Sequence, residues 1–393
     1  MKELIIQSIS KSGGTLKCAG EEAGTPFVLQ VDVEEAYSDY LCDDRVDGFF
    51  VICLYKAIKE GYKIKSLVPI SERLYYQAYN YMNKVYAETF KKDPVEIDVP
   101  LITTPLPCHN AVGTGISMGV DSLYTIATHS DFNKKCPESF RVSHLVLMNA
   151  GAFIASKEEG ESTFIKTVEK ARHFSELYGY KFVKIDTNIL DFIPYWQMEW
   201  HGVVNGSIIL TLQKLFSIYY SSSSYKFNEF KFNPKDLSQA ELFNLMVLTT
   251  NTTRFYSTGG DVLRIDKVRT LTKWAPSYNF LQVCAFYSHN CSSPSCQKCG
   301  RTMVEIDVLN ALDKYAQSFD VERYKADPWK YIYYMYGRKV IVKDHYVKEM
   351  WGLITSKYPM TFLRKVDALI HYIKDRLNYF GGVSGAFNHF FNK

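Results

Sequence analysis

The sequence predicts an α/β fold built on a parallel sheet. Three observations carry this. Short apolar runs at residues 111–116, 144–148 and 181–186 alternate with helical periodicity, at Leu123, Ile126 and Ala127 and again over residues 164–178. Such strand–helix–strand alternation implies parallel strands joined by right-handed crossovers. The small polar hexapeptide Ser117-Met118-Gly119-Val120-Asp121-Ser122 links the first of these strands to the first helix. Four cysteines then cluster between residues 284 and 299. Pro105 and Pro107 break the pattern ahead of the alternation. They divide the chain into an N-terminal α/β region (1–108), a central domain (109–310) and a helical, aromatic-rich region (311–393).

In the first region, residues 4–6 form a candidate strand, and Phe27, Leu29, Val31 and Val33 alternate as a half-buried strand does. Residues 49–58 are apolar enough for a core helix, which Glu60 and Gly61 end. Residues 64–70 return as a strand, Ser71 caps a helix running to about residue 90, and residues 95–102 alternate again. Asp32, Glu34 and Glu35 read as a solvated edge.

The hexapeptide has the geometry of an anion cradle. Strand, tight loop and helix aim backbone N–H groups and a helix N-terminus at one spot. Gly119 permits close backbone approach, and Ser117 and Ser122 supply hydroxyls. Asp121 suits such a loop only if it orients a cation such as Mg²⁺ or caps the helix. Ligands of open α/β sheets bind beyond the carboxyl ends of the strands. Three segments meet that edge: residues 117–122, 148–151 and 186–188.

Further along, Trp200, His201 and Gly202 precede an apolar stretch, residues 208–219, that reads as one long helix. His201 suits a base, a phosphate contact or a cap. Ser221 to Ser224 open a polar loop, and residues 257–261 a flexible turn. A helix follows from about Val262, with Arg264 and Lys267 on one face, placed to stabilise a leaving polyanion.

Cys284, Cys291, Cys296 and Cys299 are spaced C-x6-C-x4-C-x2-C. Four thiolates this close can wrap one tetrahedral Zn²⁺, and a closed four-sulfur site is structural. An iron–sulfur cluster uses the same ligands and stays open as the alternative. Beyond residue 311 the aromatic residues from Trp329 to Tyr379 pack a helical cap or offer a partner surface, and the tail after Gly382 docks.

Positive residues exceed negative ones by only four, which does not argue for nucleic acid. No apolar run is long enough for a membrane span. The N-terminus lacks the pattern of a signal peptide, and clustered cysteines without one point to metal in a reducing compartment, so a cytoplasmic protein is expected. Homo-oligomerisation is neither required nor opposed by the sequence.

Residues 117–122 resemble the SGGxDS signature of the N-type ATP pyrophosphatases, the PP-loop family. Ser117, Gly119, Asp121 and Ser122 match, and Met118 stands where the family has glycine. With the downstream cysteines, the chain resembles the 7-cyano-7-deazaguanine synthase family over residues 109–310. Residues 296–303, CQKCGRTM, are similar to the CxKCxRTM ending of larger relatives with an added N-terminal region.

The resemblance implies an ATP-dependent ligase that adenylates an acyl oxygen, releases pyrophosphate and lets a nitrogen nucleophile displace AMP. It implies ATP bound by residues 117–122, with Met148 and Asn149 at adenine. Asp121 would orient Mg²⁺. Arg264 and Lys267, with Arg301 as a third cation, would neutralise pyrophosphate, and the four cysteines would hold structural zinc. The acyl substrate is small, or a peptide or protein terminus. Two rival readings remain: a PP-loop RNA sulfur transferase using Cys108, and a non-catalytic ATP-binding scaffold in which Met118 blocks turnover.

Overall fold

The computed structural model describes residues 2–151, 157–193, 195, 199–284 and 287–382, with backbone alone at 157–160 and 377–382. The predicted docking of the tail after Gly382 lies outside these residues. Two compact units result. One comprises residues 1–117 and 121–261, the other residues 118–120 and 262–393. These units do not coincide with the three regions read from the sequence.

The first unit is an α/β assembly on a ten-stranded sheet. Its strands are β1 (Glu3–Ser12), β2 (Thr15–Glu22), β3 (Thr25–Val33), β4 (Lys63–Ser66), β6 (Ile97–Asp98), β8 (Ala111–Gly115), β9 (His144–Met148), β10 (Lys181–Thr187), β11 (Phe216–Ser222) and β12 (Arg254–Thr258). The remaining strands, β5 (Ile70–Ser71) and β7 (Leu101–Ile102), make a separate parallel pair. The order in the large sheet is β12-β11-β8-β9-β10-β3-β2-β1-β4-β6. From β12 to β10 every pairing is parallel. β10 then meets β3 antiparallel, with Ile185 opposite Val33 and Asp186 opposite Asp32.

That seam corrects the N-terminal reading. Asp32 is not on a solvated edge: it lies inside the sheet and accepts hydrogen bonds from Thr15 Oγ1 (2.6 Å) and Gln30 Nε2 (2.7 Å). Glu34 pairs with Arg172 at 2.5 Å. Residues 95–102 yield only two-residue strands, and Ser71 does not cap its helix; its hydroxyl bonds Asp47 instead.

Residues 49–58 do form a core helix, Asp47–Glu60. Its apolar residues run round the whole circumference, so the helix is buried on every side. Gly61 ends it at φ 74°, the left-handed conformation that glycine adopts without cost. Asp47, buried at its start, accepts from Ser71 N (2.7 Å) and Gln213 Nε2 (2.7 Å). Gln213 in turn accepts from Thr250 Oγ1 at 2.6 Å. These bonds join the N-terminal region to the parallel core through one chain of satisfied polar groups, as burial requires.

The stretch expected as one helix over residues 208–219 is divided. A helix, His201–Leu210, ends ahead of β11. Phe216, Ile218, Tyr219 and Tyr220 are β-formers, and all four are buried between sheet neighbours. β12 lies in what was read as polar chain and flexible turn.

The second unit is helical. Its principal helices are Arg264–Leu271, Gln297–Val308, Pro328–Gly337, His345–Lys357 and Phe362–Gly382. Of the late aromatics, Tyr331, Tyr334 and Tyr372 are buried within this unit, whereas Phe362 is exposed. Among the described residues no helix is long and apolar enough to cross a membrane.

Candidate functional site

The five parallel strands set the site. Numbered by chain order from β8, they lie third, second, first, fourth, fifth across the sheet. This is the order of a doubly wound sheet, whose ligand crevice opens where the order reverses, beyond the carboxyl ends of the first and fourth strands. Here those ends are Gly115 of β8 and Ser222 of β11. The hexapeptide leaves the first of them.

Ile116 is still held to the sheet, its N–H donating to Val146 O at 2.9 Å. Ser117 is exposed, Gly119 and Asp121 are half-buried, and Met118 and Val120 are buried. Of the loop's polar residues, Ser117 is exposed, Asp121 half-buried and Ser122 buried. Ser117 Oγ lies 3.2 Å from Ser122 Oγ. The helix Val120–Thr128 starts within the loop, with Asp121 in its first turn. The positive end of a helix dipole favours an anion.

Met118 takes φ 60°, the conformation glycine occupies freely. Its carbonyl accepts from Gln282 N at 2.8 Å, and its side chain is 0 % exposed.

Ser221 to Ser224 were read as the opening of a polar loop. Ser221 and Ser222 instead finish β11 at the crevice. Ser222 Oγ donates to Thr125 Oγ1 (2.9 Å), itself 2.6 Å from Thr258 Oγ1 at the end of β12. The ends of both strands are thus pinned to the helix that follows the loop. The signal was present in four serines directly after an apolar, β-forming run. Met148 ends β9 as expected. Asn149 donates through N to Ile185 O (2.9 Å) and through Nδ2 to Asp186 Oδ1 (3.0 Å), so both residues belong to the same carboxyl edge.

Two histidine and cysteine candidates fall elsewhere. His201 opens its helix, with Nε2 3.2 Å from Asn205 Nδ2, and burial lowers its pKa. Cys108 precedes β8, at the amino edge of the sheet, whereas the loop follows the carboxyl edge.

The cysteines and cations lie in the second unit. Cys284, Cys291, Cys296 and Cys299 bring their sulfurs within 4.8 Å of one another, a group that could hold a metal ion. As bare thiols, Cys296 and Cys299 are made harder to ionise by their neighbours. Cys296 is pushed up to about 11, chiefly by its hydrogen bond with Cys284, and Cys299 is raised further by Cys284 and Cys296. A cation at the centre removes that penalty.

The sequence reading missed what shapes the group. Asn290 Oδ1 accepts from Val283 N (2.8 Å) and Cys284 N (3.2 Å), while Nδ2 donates to Leu281 O (2.8 Å) and Ser318 O (2.9 Å). A Cβ on Gly300 would stand 2.7 Å from Pro294 O, so only glycine fits after Cys299.

The helix Gln297–Val308 also carries Arg301, Thr302 and Glu305. Arg264 Nε binds Glu305 Oε1 (3.1 Å), and its Nη2 donates to Thr302 Oγ1 (3.1 Å). Lys267 is buried on the next turn of the Arg264 helix. Arg301 is 4 % exposed, with Cζ 4.3 Å from the Tyr346 ring centre. Burial, then the like charge of Arg264, bring its pKa down to about 10, so it remains a cation at neutral pH.

No family model matches the chain, and neither do any of the curated proteins or solved structures.

Proposed function

We propose that this chain is an ATP-dependent ligase of the PP-loop type. ATP binds at residues 117–122, an acyl oxygen of the substrate attacks the α-phosphorus, and the bond to the β-phosphate oxygen breaks. Pyrophosphate leaves. A nitrogen nucleophile then forms the new bond at the acyl carbon, and AMP departs with the acyl oxygen. The observation that carries this reading is the emergence of the hexapeptide at the reversal point of the parallel sheet, with Ser117 exposed and Asp121 in the first turn of the helix that follows.

Ser117, Gly119 and Ser122 hold phosphates, and Met118 and Val120 contribute backbone only. Asp121 orients Mg²⁺, which supplies charge neutralisation on the phosphates. Met148 and Asn149 face adenine. Arg264 and Lys267 neutralise pyrophosphate, with Arg301 as the third cation. Zn²⁺ at the four cysteines is structural. Catalysis then rests on positioning and fixed charge rather than on a protein nucleophile. The acyl substrate is a small acid or a peptide or protein terminus.

The position of Cys108, at the amino edge of the sheet, does not favour the sulfur-transferase alternative.

The test uses α-labelled ATP, Mg²⁺, ammonium and fractionated small acids and peptides. AMP and pyrophosphate form in equal amounts with wild type. Asp121→Ala abolishes AMP while leaving the circular dichroism spectrum unchanged. Full AMP formation by a folded Asp121→Ala variant rules out the role given to the carboxylate.

A further inference from the structure

Arg301 is a buried cation with donors to spare. Among the described residues, its Nε and Nη1 have no hydrogen-bond partner. Glu305 Oε1 stands 4.0 Å from Nε, beyond hydrogen-bond range, because it is engaged by Arg264 at 3.1 Å. Buried guanidinium donors left open are costly, and such a group in a native protein calls for an ion or water that completes it. Arg264 differs: Glu305 and Thr302 hold its guanidinium.

The surroundings hold Arg301 in place rather than satisfy it. Tyr346 lies against the guanidinium. Cys296 stands at the N-cap position of the helix that carries it, and Cys299 lies two residues before it. Gly300, between them, lets the helix seat against the turn at Pro294. The metal-binding sulfurs thus anchor the turn from which Arg301 projects.

We propose that Arg301 is the residue that binds a phosphate-type oxyanion directly in the second unit, and that Arg264 is its positioning partner through Glu305. The identity of the anion as pyrophosphate rests on the ligase reading. The existence of the anion site does not. This reverses the order in which the cations were ranked from sequence, where Arg264 and Lys267 came first.

The experiment titrates inorganic pyrophosphate, inorganic phosphate and acetate into the metal-loaded full chain by calorimetry. Wild type, Arg301→Lys and Arg301→Met are compared, and melting temperatures are taken without anion. Pyrophosphate binding should weaken at least tenfold in Arg301→Met and severalfold in Arg301→Lys, which keeps the charge but loses the planar donors. Without anion, Arg301→Met should melt at or above the wild-type temperature, since it removes buried donors that nothing satisfies.

Pyrophosphate affinity within twofold of wild type in Arg301→Met overturns the proposal. So does absence of pyrophosphate and phosphate binding in wild type. A lowered melting temperature with unchanged binding assigns Arg301 a packing role on Tyr346 and overturns it too. Acetate binding as tightly as pyrophosphate would overturn the assignment to phosphate.

Ser117→Ala/Ser122→Ala, titrated in parallel with a fluorescent ATP analogue, separates the two readings. If neither this variant nor wild type binds nucleotide while pyrophosphate binding still depends on Arg301, the ligase reading fails and the anion site stands.

Discussion

Replacing Met118 tests the loop from two directions. The side chain is fully buried, and deleting a buried methionine down to the β-carbon costs about 2–5 kcal/mol. Its backbone sits at φ 60°, where a non-glycine residue carries about 1–2 kcal/mol of strain. Met118→Ala loses the side chain and keeps the strain. Met118→Gly loses the side chain and sheds the strain, offset by up to about 1 kcal/mol of extra backbone entropy in the unfolded chain.

Both variants should therefore melt below wild type, with the glycine variant above the alanine variant by up to ~2 kcal/mol, or about 2–3 °C for a chain of this length. This inverts the usual order, in which alanine is the more stabilising residue. Differential scanning calorimetry reads it directly. A glycine variant that melts below the alanine variant would refute the strain argument. The same pair tests the loop as a ligand site. Because the side chain is not accessible, trimming it should leave affinity for a fluorescent ATP analogue within about threefold. A tenfold gain would mean that Met118 crowds the ligand after all.

Two further outcomes follow from other parts of the molecule. His144 opens β9 with Nδ1 2.9 Å from Ser143 Oγ; burial, then Lys181 and His109, lower its pKa from 6.5 to about 4. Above pH 6.5 both folded and unfolded chains carry it neutral, and its contribution to stability is intact. As pH falls from 6.5 towards 4, only the unfolded chain takes the proton, so up to about 3 kcal/mol is lost across that window. His144→Gln should flatten the fall in melting temperature between pH 7 and 4.5; an undiminished slope would assign the acid sensitivity elsewhere. Asn290→Ala removes four hydrogen bonds that shape the cysteine group, and metal affinity measured by chelator competition should drop ~10–100-fold, as for other groups that orient ligands. Unchanged affinity would make Asn290 a simple loop brace.

What could be read in advance followed periodicity and clustering. The core helix Asp47–Glu60 was legible because ten consecutive positions, 49–58, are nearly all apolar, and its end because Gly61 takes a left-handed conformation. β8, β9 and β10 were legible as short apolar runs between helical ones. β11 was not, because an apolar run without alternation fits a buried strand or a buried helix equally well. Only pairing with β8 and β12 decides it. β2 was hidden by its charged residues, since Lys17, Glu21 and Glu22 interrupt the apolar pattern.

At the candidate sites, the cysteine spacing and the hexapeptide were visible as residue types. Their support was not. Asn290 is an unremarkable residue until its amide is seen to bond four backbone groups. Helical spacing put Arg264 ahead of Arg301; only tertiary contacts show that the first guanidinium is held by a carboxylate and a hydroxyl while the second keeps open donors.

The antiparallel seam between β3 and β10 has a consequence for how the chain must be made. Val33 and Ile185 meet across roughly 150 intervening residues, so the β1–β3 meander is synthesised long before its partner exists. At ribosomal speeds of ~5–20 residues per second, β3 waits about 10–30 s with one side of its backbone unpaired. An open strand edge of that kind invites pairing with another nascent chain. Cutting the chain near residue 108 would make that transient edge permanent, and a fragment ending there should aggregate during expression rather than accumulate as a soluble domain.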